Sequence, residues 1–337
     1  MAQNSRKAIY RKHKKYRLIF NIVVSIVLMA SIVTSALLGV TAYLTQDMKK
    51  GIISDDHHEL GISSDVANKL PKNIINIALF GLDSRDREAT NRDEALKGRS
   101  DAIIIVSINT MNNTIKMTSI LRDSWVPIAN KGYNKVNAAY SFGGAQKAIH
   151  TINSNYGLNI TDYVSVSLYQ LWNVIDIMGG IDIEITEMER KKLNFLAGEE
   201  GFNVTPVKKS GLVHLDGGQA MCYSRIRNDS EEIRVLRQHK VISCMFEKAK
   251  KMPASEYPSL LKKVLANVET SLSYDEIYSY APMLAVTDLH LDHASIPGKE
   301  VVAEGGVFED TRGGWVWKYD LNEAKKYIYS WIYDINE

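Results

Sequence analysis

From residue 73 onward the chain alternates short apolar runs with clusters of turn-forming residues. "NIINIALF" (73–80) is rich in β-branched residues and stops at Gly81, which predicts a buried strand. "DAIIIVSI" (101–108) and "IKMTSIL" (115–121) predict two more, joined by the turn composition of "TMNNT" (110–114). "YVSVSL" (163–168) and "IDIEI" (181–185) are expected to continue the same sheet. Helical spacing occurs over 143–157, with Gly157 as a stop signal, and over 169–180, 231–250, 257–268, 274–284 and 321–333. Strands interleaved with helices predict an α/β fold, a mixed β-sheet sandwiched by helices.

One apolar run is of another kind. Residues 18–44 hold no charged side chain. A helix needs about 20 apolar residues to cross a bilayer, so this stretch predicts a single transmembrane helix. It is too long for the apolar part of a cleaved signal peptide, roughly 7–15 residues. Arg6, Lys7, Arg11, Lys12, Lys14, Lys15 and Arg17 precede it and Asp47 follows it. This asymmetry places the N-terminus in the cytoplasm and the rest outside. The expected organisation is a basic cytoplasmic tail (1–17), the span (18–44), a polar extracytoplasmic stalk with one helical turn (45–71) and a folded domain (72–337).

The formal net charge is +2, from 41 basic and 39 acidic side chains. Setting aside the seven basic residues of the tail leaves 34 against 39, a net of −5 for the remainder. An acidic body argues against a nucleic-acid partner, which usually meets a basic face. Two cysteines, Cys222 and Cys244, do not make a disulfide framework and read as buried thiols. "DDHHE" (55–59) reads as solvated stalk charges rather than a metal site.

The chemistry collects at strand ends, where α/β folds usually put their sites. If 101–108 pairs with 115–121, Ile108 faces Ile115 and Asp101 comes near Arg122, with Arg99 and Asp123 adjacent. The first strand runs out into Asp83 and Arg85. "RIRNDSEEIRVLRQ" (225–238) adds Arg225 and Arg227, two apart in an extended segment, and Arg234 and Arg237, three apart on one helix face. Val235, Ile242 and Phe246 supply that helix with an apolar docking face. Such crowding of guanidinium groups is expected around an anion, and their planar forks suit phosphate oxygens. Asp83 and Asp101 add hard oxygen ligands of the kind Mg²⁺ takes beside substrate phosphates.

At these residues the sequence resembles the LytR–CpsA–Psr family, which attaches anionic glycopolymers to bacterial peptidoglycan. "INIALFGLDSR", "GRSDAIIIVSI", "LRDSWVPI", "KVNAAYSFGG", "VIDIMGGIDIEI", "LDGGQAMCYSRIR" and "RVLRQ" carry the resemblance, which runs from about residue 72 to the C-terminus. It implies Mg²⁺, with Mn²⁺ as the alternative ion, on Asp83 and Asp101. It implies pyrophosphate contacts from Arg85, Arg99, Arg122, Arg225, Arg227, Arg234, Arg237 and Gln238, and catalytic roles for Asp101, Arg122 and Asp123. The implied partners are a polyprenyl-pyrophosphate-linked glycopolymer, its lipid tail in an apolar channel between sheet and helices, and the peptidoglycan of a Gram-positive-type cell. Two positions depart from the family pattern: Leu121 stands where Pro is common, and Glu231 where Asp is common. Competing functions for the same residues are a lipid-pyrophosphate hydrolase, a lipid-binding protein and a transcriptional attenuator.

Overall fold

A computed structural model describes residues 43, 45–83, 98–112, 114–199, 201–227, 230–277, 279–280, 291–311 and 313–335. Arg85, most of the expected span 18–44 and all of the tail 1–17 lie outside these. Among the described residues no helix is long and apolar enough to cross a membrane. Residues Met48–Glu337 form one compact unit.

Its strands are β1 (Lys49–Lys50), β2 (Ile74–Leu82), β3 (Ser100–Asn109), β4 (Thr114–Ile120), β5 (Trp125–Ile128), β6 (Gly132–Lys135), β7 (Asp162–Ser167), β8 (Ile181–Ile185), β9 (Gly211–Leu215), β10 (Glu269–Thr270), β11 (Leu291–Ile296), β12 (Glu304–Val307) and β13 (Trp315–Lys318). The helices are α1 (Ser64–Lys69), α2 (Ala138–Tyr156), α3 (Leu168–Ile177), α4 (Glu187–Glu199), α5 (Gly217–Ser224), α6 (Glu231–Lys250), α7 (Tyr257–Leu265) and α8 (Leu321–Tyr333).

The central sheet is mixed, in the order β1-β10-β7-β2-β3-β4-β11. Successive side chains of a strand face opposite ways, so each strand feeds two cores. Ala78, Phe80, Leu82, Ile103, Ile105 and Ile120 face one core, closed by α1, α2 and α8. Ile77, Ile104, Val106, Ile108, Ile115 and Met117 face the other, against Leu272 and Ile242 of α6. This is the expected helix-covered sheet, and burial on both faces explains the unbroken apolar runs of β2 and β3.

Three expectations need correction. The strand at 181–185 forms, but it leaves the main sheet and pairs antiparallel with β9. Gly179 and Gly180 both take φ near 76°, a left-handed turn that glycine adopts freely, and this redirects the chain. β8 and β9 then build a separate core with α4 and α5. Residues 48–71 are not a solvated stalk: Leu60, Ile62, Val66 and Leu70 are buried in the α1/α2/α8 core, and β1 pairs with β10. Finally, α2 begins at Ala138 rather than 143, with non-helical Gly143 and Gly144 interrupting it, although it ends at Gly157 as expected. Of the helix expected over 274–284, residues 274–277 and 279–280 are described and helical. Cys222 is buried and Cys244 half-buried, both as thiols.

Candidate active site

The β3–β4 register decides where the charged residues meet. Ile108 lies opposite Ile115 and Ile104 opposite Ser119, so the start of β3 adjoins the chain leaving β4. On the other side of β3, Gly81 pairs with Ala102 but Leu82 pairs with Ser100. Asp101 is thus the extra residue of a β-bulge, a device that re-aims a side chain and interrupts the ladder. After β4 a tight turn holds Arg122: Leu121 N–H donates to Ile296 O at 2.8 Å and Asn137 N–H donates to Arg122 O at 3.2 Å. A proline at position 121 could not make the first of these bonds.

Arg122 Nη1 donates to Asp101 Oδ2 at 2.7 Å, and Arg227 Nη2 reaches the same oxygen at 3.3 Å. Arg234 Nη2 donates to the Asp101 carbonyl at 3.4 Å and to Glu231 Oε1. Arg122 Nε lies 3.4 Å from Asp123 Oδ2 and 3.6 Å from Glu231 Oε1. Asp123 Oδ1 in turn accepts from Lys135 Nζ at 2.6 Å. Asp83 sits beside the cluster, its N–H donating to Arg99 O at 3.3 Å.

Burial pulls on these groups in opposite ways. For Arg122 desolvation lowers the pKa, but Asp101, Glu231 and Asp123 outweigh it and raise the guanidinium above its ordinary value. For Arg234 desolvation wins, helped by Arg122 and Arg227, and holds it below its ordinary value despite Glu231. The Nε atoms of both arginines are buried and make no hydrogen bond among the described residues, although Arg122 Nε stays within ion-pair range of Asp123 and Glu231.

Other expected site residues go elsewhere. Arg237 is buried like Arg234, as one helix face requires, but its Nε donates to Glu189 Oε1 at 2.8 Å and its Nη1 to Ile226 O at 3.2 Å. Arg225 is not extended: it caps α5 with φ −101° and ψ 0°, and its guanidinium lies over the Phe202 ring. Gln238 is half-buried and Arg99 exposed at the sheet end. Lys135 is the addition, and Glu231, which stands where the family commonly has Asp, joins the cluster through Arg122 and Arg234. Lys135 belongs to the β5–β6 hairpin, whose turn places Asn130 and Gly132 at φ 62° and 71°; the Asn-x-Gly spacing was the available signal.

Four cations (Arg122, Arg227, Arg234, Lys135) thus face three carboxylates (Asp101, Asp123, Glu231). A doubly charged pyrophosphate diester would tip this balance to negative, which a divalent cation corrects. Among the described residues no three His, Cys, Asp or Glu side chains converge as a metal cage. Asp83 and Asp101 offer two carboxylates, the donor type that Mg²⁺ takes when phosphate oxygens complete its shell.

A model of the LytR_cpsA_psr family matches residues 37–329. The chain belongs to the LytR_cpsA_psr family. Among its relatives is a polyisoprenyl-teichoic acid–peptidoglycan teichoic acid transferase TagU of Bacillus mycoides, 28% identical over 257 residues, or 75% of each chain. The TagU of Enterococcus faecalis is 29% identical over 290 residues, 85% of this chain and 86% of that one. Among solved structures, the family member TagT of Bacillus subtilis with bound octaprenyl pyrophosphate shares the fold at a TM-score of 0.58, with 20% identity over 78% of this chain and 92% of that one. The strand-end cluster of this family member thus sits on the expected mixed α/β scaffold.

Proposed function

We propose that this chain is a membrane-anchored phosphotransferase on the outer face of the cell membrane. It moves an anionic glycopolymer from a polyprenyl-pyrophosphate carrier to a sugar hydroxyl of peptidoglycan and leaves a phosphodiester. The observation that carries this reading is the bulged Asp101, gripped by Arg122 and Arg227, with buried Arg234 at its carbonyl. Family membership and the substrates named for the TagU relatives support it.

In this reading Arg122, Arg227 and Arg234 take the phosphate oxygens. Phosphoryl transfer is mostly positioning and charge neutralisation, and these side chains supply both. Mg²⁺ on Asp83 and Asp101 would neutralise charge on the leaving and equatorial oxygens. The acceptor hydroxyl oxygen bonds to the phosphorus that bears the polymer, and the bond to the polyprenyl phosphate oxygen breaks. Asp123, held between Arg122 and Lys135, accepts the hydroxyl proton. Arg237 serves the scaffold, and Arg225, Arg99 and Gln238 flank the cluster.

A reconstituted assay tests this with a defined lipid-linked donor and peptidoglycan. Polymer should appear in the wall fraction as polyprenyl phosphate is released in equal amount. Release without attachment would make the protein a hydrolase, and donor binding with neither product would make it a lipid-binding protein.

A further inference from the structure

The β5–β6 hairpin carries two neighbouring aromatic rings, half-buried Trp125 and exposed Tyr133. In its register Trp125 lies opposite Lys135 and Pro127 opposite Tyr133. These four side chains project from one face. Val126 and Ile128 project from the other and are 0% and 2% exposed, so they root the hairpin in the core. The Trp125 and Tyr133 rings lie 6.5 Å apart with 31° between their planes. Tyr133 is 59% exposed.

Scattered exposed apolar residues are normal on a protein surface, but this pair is not scattered. It adjoins Lys135, whose ammonium grips Asp123 at 2.6 Å, so ring faces and reacting carboxylate share one short ribbon. The ribbon is held on its far side too: Trp317 N–H donates to Asp123 O at 3.0 Å. Its rim is polar. Trp125 Nε1 donates to Asp310 Oδ2 at 3.2 Å, and Lys318 bridges to Asp310 Oδ1 at 2.6 Å.

We propose that Trp125 and Tyr133 form the platform on which the acceptor glycan stacks, presenting its hydroxyl to Asp123. The inference rests on the transferase reading above. A pyranose ring has an apolar face of C–H bonds and a polar edge of hydroxyl and acetamido groups. Two aromatic faces tilted 31° to each other within a charged rim match that two-sided chemistry, with Asp310 on the Trp125 indole and Asp123 on Lys135 at its edges. A sugar of the donor could use the same kind of face. Asp123, held by Lys135 of the same hairpin, is the carboxylate that this reading gives to the acceptor hydroxyl, and that assigns the platform to the acceptor.

The test uses the full-length chain in detergent and an N-acetylglucosamine tetramer as probe, followed by tryptophan fluorescence. The variants are Tyr133→Ala, Tyr133→Phe and Trp125→Ala, with Phe195→Ala, exposed on α4, as control. Each loss of an aromatic face should weaken tetramer binding by about 2- to 10-fold, the usual worth of a ring-stacking contact. Tyr133→Phe should keep wild-type binding, because the ring face and not the hydroxyl carries the contact. In transfer assays the two Ala variants should raise the acceptor KM while donor affinity and melting temperature stay at the control value. Unchanged tetramer binding in both Ala variants overturns the platform, and so does a loss of donor affinity in place of acceptor affinity. Tetramer binding that depends on both rings, in a protein that transfers no polymer from any donor, supports the platform and removes the transferase reading instead.

Discussion

Asp101 and Arg122 start and finish an antiparallel pair of strands, and they meet at 2.7 Å across its open end. Arg227 shares the same carboxylate oxygen from α5's far end, so the contact ties three elements together. Replacing Asp101 by Ala removes one of three carboxylates from the network. Turnover should then fall more than donor affinity, and the dependence on Mg²⁺ should vanish, since the ion matters most as charge develops on the leaving phosphate. Arg122→Ala should instead weaken donor binding by roughly 10- to 100-fold, the worth of one charged hydrogen bond. Arg122→Lys should restore this in part, lacking the planar fork. Donor affinity, transfer rate and melting temperature on the same proteins separate the roles. Wild-type transfer by Asp101→Ala with the metal chelated would end the metal-assisted mechanism.

Arg237 and Arg227 should behave as opposites. Arg237 is 3% exposed and holds Glu189, whose carboxylate also accepts from Tyr223 Oη at 3.3 Å. Arg237→Ala strands a buried carboxylate and should cost about 3–5 kcal/mol in chemical denaturation. Converting both Arg237 and Glu189 to Met should return most of that stability. Arg227 has 49% of its side chain exposed, so Arg227→Ala should leave stability within about 0.5 kcal/mol of wild type and lower donor affinity alone. A donor-affinity loss for the Arg237/Glu189 double variant equal to that of Arg227→Ala would return Arg237 to the phosphate site.

His239 should make the fold acid-sensitive. Its Nε2 pairs with Ser119 Oγ at 2.7 Å, and burial, with a smaller push from His293, lowers its pKa from 6.5 to about 3. Within that window the unfolded chain binds a proton that the folded chain does not. Stability therefore falls as pH drops, by up to about 1.4 kcal/mol per unit. Between pH 7 and 5 this amounts to roughly 2 kcal/mol. Urea midpoints of wild type and His239→Gln across that range check it: the variant's slope should be flatter, and equal slopes would refute the assignment.

A soluble form should begin at or before Met48 and not at Lys72. Leu60, Ile62, Val66 and Leu70 are 1%, 5%, 7% and 4% exposed. Each buried side chain of this size contributes about 1.5–3 kcal/mol, and their sum approaches the whole stability of an ordinary domain. The shorter form should bind hydrophobic dyes and lack a cooperative melt, while the longer melts in one transition. Equal melting of both would show that these residues pack without stabilising.

What was legible in the chain follows from how far apart the interacting residues lie. The β3–β4 turn is short, so a composition signal at 110–114 set the register, and Asp101 could be placed beside Arg122 by counting outward. Arg234 and Arg237 could be put on one face by helical spacing for the same reason. Their separate partners could not: Glu189 comes from α4, 48 positions before Arg237, and a side-chain contact at that separation leaves no local trace. The segment at 48–71 was misread because its apolar residues are sparse, and β1 finds its strand partner at Glu269 and Thr270. The bulge at Asp101 was invisible too, since it arises from a mismatch between β2 and β3 and not from either alone.

The hairpin that assembles the site also puts its own turn at the opposite end of the sheet. Met111 in that turn is 79% exposed. It lies about ten residues from Asp101, roughly 30 Å along an extended strand. Position 111 is therefore a labelling point: a cysteine introduced there for a fluorophore would ride on the same rigid strand as the reacting carboxylate, yet stand clear of donor, acceptor and metal.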